Sequence, residues 1–310
     1  MYRKIYIAGH TGLVGSAVLR LLESERDTEI VTVPHGAMDL RDTERVLDWF
    51  SREQPTHVVM CAGRVGGILA NSQGQFDFMF DNALMGLNVA KGSMIGGAER
   101  VVYLGSSCVY PRDTIQPIRE ESFLSGVLEA TNRGYAAGKI ASIEAFRAAR
   151  EQYGLDAYCL MPCNLYGPGD NYDAEGSHVI PGLIRRIHEA KLNRDPSVTV
   201  WGSGKALREF MWVGDLATAI KTVLLSEGIG MPFMMNVGSG EELTIESLAY
   251  MICEAEGYGG TLEFDKSKPD GTPRKILDST LIGELGWEPM VGLEMGLRAA
   301  YRDFLKRYGG

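Results

Sequence analysis

The sequence lacks three features that would indicate common classes of protein. Only five of its 310 residues are cysteine, and none of them shows the C-x-x-C spacing typical of zinc sites. No apolar run reaches the roughly 18 residues that span a membrane. Acidic residues outnumber basic ones by 40 to 31, giving a formal net charge of −9. We therefore expect no disulfide scaffold, metal site, membrane partner or nucleic-acid partner.

We also expect no signal peptide, because Met1-Tyr2-Arg3-Lys4-Ile5 runs directly into strand-like sequence. Together with the scattered cysteines, this favours a cytoplasmic location. Hydrophobic residues make up 45% of the chain and charged residues 23%, the balance of an ordinary globular protein. The length suits one large domain or two domains of usual size.

Strand and helix signals alternate through the first half of the chain. Short apolar runs predict strands at Lys4–Ala8, Glu29–Val33, His57–Cys61, Arg100–Leu104 and Ala157–Met161. Helical spacing of apolar residues predicts helices at Leu13–Leu22, Asp42–Phe50, Phe76–Ile95 and Tyr135–Tyr153. This alternation is typical of βαβ units. It predicts an α/β fold with a Rossmann-type, doubly wound parallel sheet.

The alternation stops near residue 163. The segment Gly167–Ser177 is rich in glycine, aspartate and asparagine and is interpreted as a loop. Further helices are predicted at Ile180–Ala190, Ile245–Glu256 and Leu293–Arg307, and short strands at Val198–Trp201 and Met234–Asn236. We predict a dinucleotide-binding domain over residues 1–163, with a returning segment at about 211–238. A smaller C-terminal α/β substrate domain would comprise residues 164–210 and 239–310.

A glycine-rich turn, Gly9-His10-Thr11-Gly12-Leu13-Val14-Gly15, joins the first strand to the first helix. Gly9 permits the tight turn, Gly12 lets a pyrophosphate approach the backbone, and Gly15 allows close packing of helix on strand. The helix N-terminus supplies free N–H groups for the phosphates. The alternative is a tight turn that binds no ligand.

The end of the second strand normally discriminates between the two nicotinamide dinucleotides. An acidic residue there binds the ribose 2′-hydroxyl, whereas a basic residue accepts the 2′-phosphate of NADP. Here the segment is Val33-Pro34-His35-Gly36, which contains neither. A protonated His35 would contact the phosphate, and an exposed loop histidine is the alternative interpretation.

Tyr135 and Lys139 form a Tyr-x-x-x-Lys pair on a predicted helix, with both side chains on one face. A nearby ammonium would stabilise the phenolate and lower the pKa of the tyrosine. Ser106 follows the fourth predicted strand, at the carboxyl edge where open α/β sheets bind ligands. A serine there can donate a hydrogen bond to a substrate carbonyl.

These residues resemble the extended short-chain dehydrogenase/reductase family, and the likeness extends over nearly the whole chain. The segments that carry it are Ile7-Ala8-Gly9-His10, Val65-Gly66-Gly67-Ile68, Leu104-Gly105-Ser106-Ser107-Cys108-Val109-Tyr110-Pro111, Asn164-Leu165-Tyr166-Gly167-Pro168, Ser177-His178-Val179-Ile180-Pro181, Trp201-Gly202-Ser203-Gly204 and Lys268-Pro269-Asp270-Gly271-Thr272-Pro273-Arg274-Lys275. The cysteine segment and the last segment are specific to a branch that acts on GDP-linked keto-deoxy sugars.

The resemblance implies a two-stage reaction on GDP-4-keto-6-deoxy-D-mannose. The sugar would be epimerised at C3 and C5, and its C4 ketone would then be reduced with hydride from NADPH to give GDP-L-fucose. Both epimerised carbons adjoin the ketone, so their protons are acidified through an enolate. The resemblance also implies a homodimer, formed through the helices at Phe76–Ile95 and Tyr135–Tyr153.

The same resemblance assigns catalytic roles to five residues. Cys108 would be the base of the epimerisation and His178 the acid. Tyr135 would protonate the C4 oxygen, Lys139 would tune Tyr135 and hold the cofactor ribose, and Ser106 would bond to the C4 oxygen. The alternatives are that Cys108 fills a buried space and that His178 is a loop or core residue.

Further residues are expected to bind cofactor or substrate. The expected cofactor-binding residues are Gly9, Gly12, Leu13, Val14, Gly15, His35, Asp39, Leu40, Ala62, Leu104, Tyr135, Lys139, Pro162, Asn164, Leu165 and His178. The substrate side would comprise Arg186, Arg208 and Lys275, as cations for the diphosphate, and Trp201 near the guanine or sugar. Solvated surface charge and a buried core tryptophan are the alternatives.

The sequence also departs from the family pattern. Family members often carry an arginine where this chain has Thr11, and further arginines in the loop where it has Val33 and His35. The cofactor could therefore be NADH as well as NADPH. Trp212 and Gly214 replace a histidine and an aspartate, and Arg133-Gly134 replaces Glu-Pro. The substrate could thus be a related keto-sugar. Two further alternatives are an epimerase or reductase with only one of the activities, and a non-catalytic dinucleotide-binding sensor.

Overall fold

The structure is a computed structural model that describes residues 2–173, 176–227, 230–268 and 270–309. Its strands are β1 (Arg3–Ala8), β2 (Thr28–Val31), β3 (His57–Met60), β4 (Arg100–Leu104), β5 (Asp156–Pro162), β6 (Asn164–Tyr166), β7 (Ser197–Trp201), β8 (Leu207–Trp212), β9 (Met234–Val237), β10 (Glu242–Thr244), β11 (Thr261–Asp265) and β12 (Arg274–Lys275). Its α-helices are α1 (Leu13–Leu22), α2 (Thr43–Glu53), α3 (Ile68–Gln73), α4 (Gln75–Ile95), α5 (Arg133–Tyr153), α6 (Val179–Asn193), α7 (Val213–Leu225), α8 (Ile245–Glu256), α9 (Thr280–Gly283) and α10 (Leu293–Tyr308).

A six-stranded parallel sheet with the order β2-β1-β3-β4-β5-β9 forms the centre of the molecule. The strands are short and buried on both sides, which explains their nearly continuous apolar sequence. Helix α1 packs against α7, and α4 packs against both α2 and α5. The predicted α/β fold with a Rossmann-type parallel sheet is confirmed.

The strand order determines where a ligand can bind. The chain goes from β1 to β2 on one side and returns to β3 on the other side of β1, so the order reverses between β1 and β3. Ligands of open α/β sheets bind in the crevice at the carboxyl ends of the strands beside such a reversal. The glycine turn after β1 and Ala62 after β3 both lie at this point.

A smaller sheet extends the molecule beyond the strand ends. Strand β8 pairs antiparallel with β10 and parallel with β12 and β6, and β11 pairs with β7 in a separate ribbon. The buried apolar side chains form two clusters, one around the large sheet and one among α6, α8 and α10. We keep the two-domain division at the predicted boundaries as a proposal, which these two clusters support.

The observed elements also correct details of the sequence interpretation. Strand β2 ends at Val31, two residues earlier than predicted. The elements α3, α7, α9, β6, β8, β10, β11 and β12 were not predicted. Residues 174 and 175 of the predicted loop and Pro269 of the last family segment lie outside the described residues. Within the described ranges, no helix is both long enough and apolar enough to cross a membrane.

Glycines bring α4 and α5 unusually close together. A Cβ atom at Gly134 would overlap the carbonyl oxygen of Gln75, and one at Gly138 would lie 2.6 Å from the carbonyl oxygen of Met79. Gly134 N–H also donates to the Gln75 side chain at 3.3 Å. Since α5 begins at Arg133 and carries Tyr135, this close contact fixes where the tyrosine enters the site.

We predict that Gly134→Ala lowers the free energy of unfolding by about 1–3 kcal/mol, because backbone atoms of α4 must move to admit the methyl group. Urea denaturation measures this change. Gly283→Ala in α9 is the control, since a Cβ there meets nothing within 4 Å. Equal stability of the two variants would contradict the packing described for α4 and α5.

Candidate active site

The glycine turn after β1 has the geometry of a phosphate-binding loop. Gly9 has a φ of +81°, a conformation that residues with side chains rarely adopt. A Cβ at Gly9 would lie 2.7 Å from backbone atoms of Ala62, and one at Gly15 would overlap the Gly9 carbonyl. At Gly12 a Cβ would make only an ordinary contact, 3.5 Å from the Gly9 oxygen. Gly9 and Gly15 are therefore required by the packing of the turn itself. At Gly12 the lack of a side chain instead leaves space above the turn for a ligand.

Residues at the start of α1 fit a dinucleotide pyrophosphate. Gly12 is the N-cap residue of α1, and no side chain caps the helix or places a negative charge in its first turn. The N–H groups of Leu13 and Val14 belong to that first turn, where the helix dipole favours an anion. The Nδ1 atom of His10 is buried without a hydrogen-bond partner in the structure. These features suit an anionic group that approaches the turn.

Charged side chains cluster after β2, where the cofactor ribose is expected. His35 is exposed, and its Nε2 atom lies 3.9 Å from Asp39. Arg41 donates two hydrogen bonds to Asp39, from Nε at 3.0 Å and from Nη2 at 2.7 Å, and lies 3.3 Å from Asp81. The Arg41 guanidinium lowers the pKa of Asp39 to about 2. Leu40 between them is buried in the core.

Ser106, Cys108 and Tyr135 lie together beyond the end of β4. Ser106 caps a short 3₁₀ turn, Ser107–Val109, and its hydroxyl accepts a hydrogen bond from the Cys108 N–H at 3.2 Å. Burial raises the pKa of Tyr135 well above its usual value, and the Cys108 thiol adds to this rise. A hydrogen bond with the Ser106 side chain opposes it. The phenol is thus a proton donor at neutral pH.

Lys139 lies one turn after Tyr135 but contacts a different group. Only 4% of the lysine is exposed, and its Nζ atom donates to the carbonyl oxygen of Leu104 at 2.9 Å. The Nζ atom is 6.0 Å from the centre of the Tyr135 ring. Burial lowers the pKa of Lys139 to about 8. The expected lowering of the Tyr135 pKa by Lys139 is not observed, because burial dominates the pKa of the phenol and the ammonium bonds to Leu104 instead.

Cys108 is also contacted from the second sheet. The Nζ atom of Lys275 in β12 donates to the Cys108 Sγ at 3.6 Å. Lys275 is paired directly with Arg208 in the β12–β8 register. Arg208 donates only to backbone carbonyls, those of Leu207 and Asp270, and no described carboxylate forms an ion pair with it. Two cations therefore stand beside the thiol with capacity left for an anionic ligand.

His178 is the N-cap residue of α6, so it lies at the end of the Gly167–Ser177 segment. Its ring is open to solvent, yet the protein around it displaces enough water to lower its pKa. This combination is typical of a group in the wall of a cleft. The preceding residue, Ser177, contacts the loop after β3, where a Cβ at Gly67 would lie 2.9 Å from the Ser177 carbonyl.

Arg186 and Trp201 form a separate pair. The Arg186 guanidinium lies over the Trp201 ring at 5.4 Å and donates to the Thr199 carbonyl at 2.9 Å. The ammonium of Lys268 lies at 5.4 Å from the same ring. Trp201 is 47% exposed, so it is not a core residue. Within the described residues, no hydrogen bond or ring contact joins this pair to Cys108.

The remaining predicted cofactor residues lie along the same edge of the sheet. Leu104 and Pro162 end β4 and β5, and Ala62 follows β3. Asn164 and Leu165 begin β6, and the Asn164 amide donates to the Glu209 carbonyl at 2.8 Å. The parallel strands thus bring these positions to one side of the molecule, next to Ser106 and Lys139.

Sequence reasoning missed three charged residues near this edge. Arg41 is described above. Arg64 follows β3 and forms an ion pair with Asp81 at 2.9 Å. Glu209 is completely buried in β8. Arg64 could have been found as a polar residue just beyond a buried strand, whereas the burial of Glu209 depends on contacts between distant segments.

The family of this chain is shown by its similarity to known proteins. A model described as the NAD dependent epimerase/dehydratase family matches residues 5–238, the span that contains the glycine turn, Ser106, Tyr135 and Lys139. The chain belongs to this epimerase/dehydratase family.

Relatives in the family resemble this chain over nearly its full length. A GDP-L-fucose synthase of Sinorhizobium fredii is 44% identical over 303 residues, which cover 98% of this chain and 96% of the relative. A probable GDP-L-fucose synthase 1 of Oryza sativa subsp. japonica is 47% identical over 304 residues, covering 98% and 92%. The crystal structure of a GDP-L-fucose synthetase from Naegleria fowleri bound to NADP has a TM-score of 0.87 and 28% identity, with 99% and 95% of the two chains covered.

One departure from the pattern is explained by packing. Trp212 packs edge-on against Tyr166, with ring centres 5.7 Å apart. A Cβ at Gly214 would lie 2.7 Å from the Nε1 atom of this tryptophan. The bulky residue at position 212 therefore requires a glycine at position 214, and the two replacements form a compensating pair.

We predict that Gly12→Ala weakens the binding of NADPH about tenfold or more, because the methyl group occupies the space that the pyrophosphate needs. Fluorescence titration with NADPH gives the dissociation constant. Folding is preserved, since the new Cβ makes only an ordinary contact with Gly9. The control is Gly259→Ala, where a Cβ meets nothing within 4 Å. Unchanged affinity in Gly12→Ala would argue against phosphate binding at the turn.

A second prediction concerns the buried ammonium of Lys139. Its pKa is about 8 in the folded state and about 10.4 in the unfolded chain. The unfolded state therefore binds the proton more tightly, and the burial penalty is full below pH 8 and disappears above about pH 10.4. The stability of the unchanged protein relative to Lys139→Met should therefore rise as the pH increases from about 8 to about 10.4, because the substitution removes the titrating group as well as the bond to Leu104. Denaturation across this range tests the prediction, and a pH-independent difference would contradict it.

Proposed function

We propose that the protein converts GDP-4-keto-6-deoxy-D-mannose to GDP-L-fucose by epimerisation at C3 and C5 and NADPH-dependent reduction at C4. The observation that carries this proposal is the cluster of Ser106, Cys108 and Tyr135 at the carboxyl edge of the sheet. A thiol and a phenol within one site supply a group for each stage. The names of relatives that share 44% and 47% of its residues support the same reaction.

Epimerisation requires that a proton is removed from one face of the sugar and returned on the other. Cys108 is the proposed base, because a thiolate can remove an acidified proton, the Lys275 ammonium contacts the Cys108 sulfur, and Arg208 is paired with Lys275 on the adjacent strand. His178 is the proposed acid, and its place in the wall of the cleft gives it access to the sugar and to solvent protons. The enolate oxygen at C4 would accept a hydrogen bond from Ser106.

Reduction at C4 needs a proton for the oxygen as well as a hydride for the carbon. Tyr135 is the proposed proton donor, since burial keeps its phenol protonated. Ser106 stays bonded to the same oxygen and orients the ketone toward the phenol. Lys139 connects α5 to the end of β4 through the Leu104 carbonyl, which fixes Tyr135 relative to Ser106. We propose that Lys139 also holds the ribose of the cofactor.

The cofactor is NADP(H), as in the NADP-bound Naegleria fowleri relative. NADPH supplies the hydride to C4. The glycine turn would hold its pyrophosphate at the N-terminus of α1. At the ribose, Arg41 neutralises Asp39, so the acidic residue does not repel a 2′-phosphate. We propose that His35 and Arg41 donate hydrogen bonds to the 2′-phosphate in place of the replaced family arginines.

A GDP-sugar is the substrate class, and its diphosphate needs cationic partners. Arg186, Arg208 and Lys275 are the proposed partners. Burial lowers the pKa of both arginines, and both donate to backbone carbonyls rather than to carboxylates. Trp201 is the proposed contact for the guanine or the sugar.

We propose that the protein is a homodimer. Helix α4 exposes a row of large apolar side chains, of which Phe76 is 75% exposed, Phe80 53% and Leu87 44%. Exposed apolar surface of this kind is typical of subunit contacts. Since α4 packs on α5, a second subunit bound to α4 would restrict the movement of α5, the helix that carries Tyr135. We also keep the expected cytoplasmic location as a proposal, supported by five unpaired thiols.

The proposal is tested by mixing the purified protein with GDP-4-keto-6-deoxy-D-mannose and either NADPH or NADH. We expect a fall in absorbance of the reduced nicotinamide, faster with NADPH, and GDP-L-fucose as the product identified by NMR. One nicotinamide should be oxidised for each sugar converted.

The alternatives give different outcomes in the same experiment. A reduced product that is not inverted at C3 and C5 indicates a reductase without epimerase activity. Deuterium uptake at C3 and C5 without oxidation of nicotinamide indicates an epimerase. If neither reduction nor deuterium uptake occurs, the proposed function is overturned and a dinucleotide-binding sensor is favoured.

A further inference from the structure

Glu209 is a buried carboxylate that the proposed reaction leaves without a role. It lies in β8 between Arg208 and Phe210, and none of its surface is exposed. Burial raises its pKa to about 7. The titratable groups that face it, Glu242 in β10 and Cys163 after β5, are acids and do not compensate its charge. An uncharged side chain of similar shape would avoid this cost, so the carboxylate must do something that such a side chain cannot.

The two oxygens of Glu209 connect two chain segments that are distant in sequence. Its Oε1 accepts a hydrogen bond from the Gly240 N–H at 2.8 Å, in the turn between β9 and β10. Its Oε2 accepts one from the Leu277 N–H at 3.0 Å, just after β12. The fit is tight, because a Cβ at Gly238 would overlap the carboxylate. Only an ionised carboxylate can accept fully at both oxygens.

The segment held by Glu209 is the one that brings Lys275 to Cys108. Leu277 is two residues after Lys275, whose Nζ donates to the Cys108 Sγ at 3.6 Å. The other side of the segment is bonded to a loop that follows the cysteine. There, Ile276 N–H donates to the Gln116 side chain at 2.9 Å, and Asp278 N–H donates to the Ile118 carbonyl at 2.8 Å. Strand β12 itself has only two residues, so these bonds add to its pairing with β8 and to the Arg274–Glu242 ion pair in holding it in place.

We propose that Glu209 is a positioning residue, whose buried carboxylate fixes the segment after β12 so that the Lys275 ammonium stays on the Cys108 thiol. This inference rests on the proposed role of Cys108 as the base. An ammonium next to sulfur favours the thiolate, the form that removes a proton and that reacts with alkylating agents. Displacing Lys275 would therefore slow both proton removal by Cys108 and alkylation of Cys108, although the cysteine itself is unchanged.

The test measures alkylation of Cys108 by iodoacetamide at pH 8, where the Glu209 carboxylate is mostly ionised, followed by mass spectrometry of the peptide that contains the cysteine. Four proteins are compared: the unchanged protein, Glu209→Gln, Lys275→Met and the double variant. We expect Lys275→Met to slow alkylation about tenfold, since it removes a cation from the thiol. Glu209→Gln should slow it about threefold alone and have no further effect in the Lys275→Met background, because the two residues act through one contact.

A matched control is available in α8. Glu256 is a second buried glutamate, only 3% exposed, and neither of its carboxylate oxygens bonds to the segment around β12. Glu256→Gln makes the same substitution at a buried position and should leave the alkylation rate of Cys108 within about 1.5-fold of that of the unchanged protein, because the two sites are independent. A loss as large as that of Glu209→Gln would show that replacing any buried glutamate has the effect, and would overturn the proposal.

Two further results would also overturn it. One is an unchanged alkylation rate in folded Glu209→Gln, and the other is an equal effect of that substitution with and without Lys275. If Glu209→Gln does not fold, Glu209→Asp replaces it, because the shorter side chain keeps its charge but does not reach Leu277. Rapid hydrogen exchange of the Leu277 and Gly240 amides in the unchanged protein would contradict the proposal without any variant.

This test is independent of the proposed function. Alkylation needs neither sugar nor cofactor, so the coupling between Glu209 and Lys275 can be found in a protein that fails to make GDP-L-fucose. Conversely, full conversion of the sugar by a protein without this coupling would leave the proposed function intact and remove only the role of Glu209.

Discussion

The parallel pairing of β1, β3, β4 and β5 brings four strand ends to one edge of the sheet, and each end supplies a different part of the site. The end of β1 provides the glycine turn, the end of β3 provides Ala62, the end of β4 provides Leu104 and Ser106, and the end of β5 provides Pro162. The Lys139 ammonium fastens α5 to this edge through the Leu104 carbonyl. That buried bond and the close packing of α5 on α4 together fix the position of Tyr135 relative to Ser106.

Residues of the second sheet, from the C-terminal part of the sequence, complete the site. Lys275 reaches Cys108 across 167 positions of sequence, and Arg208 stands beside it because β8 and β12 are paired. This arrangement places the thiol between the edge of the large sheet and two cations of the small one. An enzyme that must both epimerise and reduce a sugar needs such a junction, because its two sets of acid–base groups must reach adjacent carbons of one substrate.

Local sequence patterns predicted the fold, and they also indicated the candidate site residues that lie within single segments. The strand, turn and helix at residues 4–22 could be recognised because Gly9, Gly12 and Gly15 each meet a separate steric requirement. The same holds for Tyr135 and Lys139, which one helical turn joins. The pKa of Tyr135 was not predictable, because it depends on how far burial outweighs the ammonium, and burial is a property of the packed structure.

Contacts between residues that are distant in the sequence could not be predicted. The resemblance assigned Lys275 to the diphosphate, whereas the structure places its Nζ on the Cys108 sulfur, and the substrate role stays a proposal. Glu209 was part of a quoted motif, yet only its contacts with Gly240 and Leu277 distinguish it from an ordinary strand residue. Replacement of the family residues at 212 and 214 suggested a changed substrate, but the packing of Trp212 against Gly214 explains the pair.

The central claim is that one site contains two separable sets of groups, Cys108 and His178 for epimerisation and Tyr135 for reduction. The most direct measurement uses Tyr135→Phe in D₂O with GDP-4-keto-6-deoxy-D-mannose and NADPH, followed by NMR of the sugar. We expect deuterium at C3 and C5 at close to the rate of the unchanged protein, while oxidation of NADPH falls by about 100-fold or more. If a folded variant lost the exchange together with the reduction, or kept both, the division of roles would be contradicted.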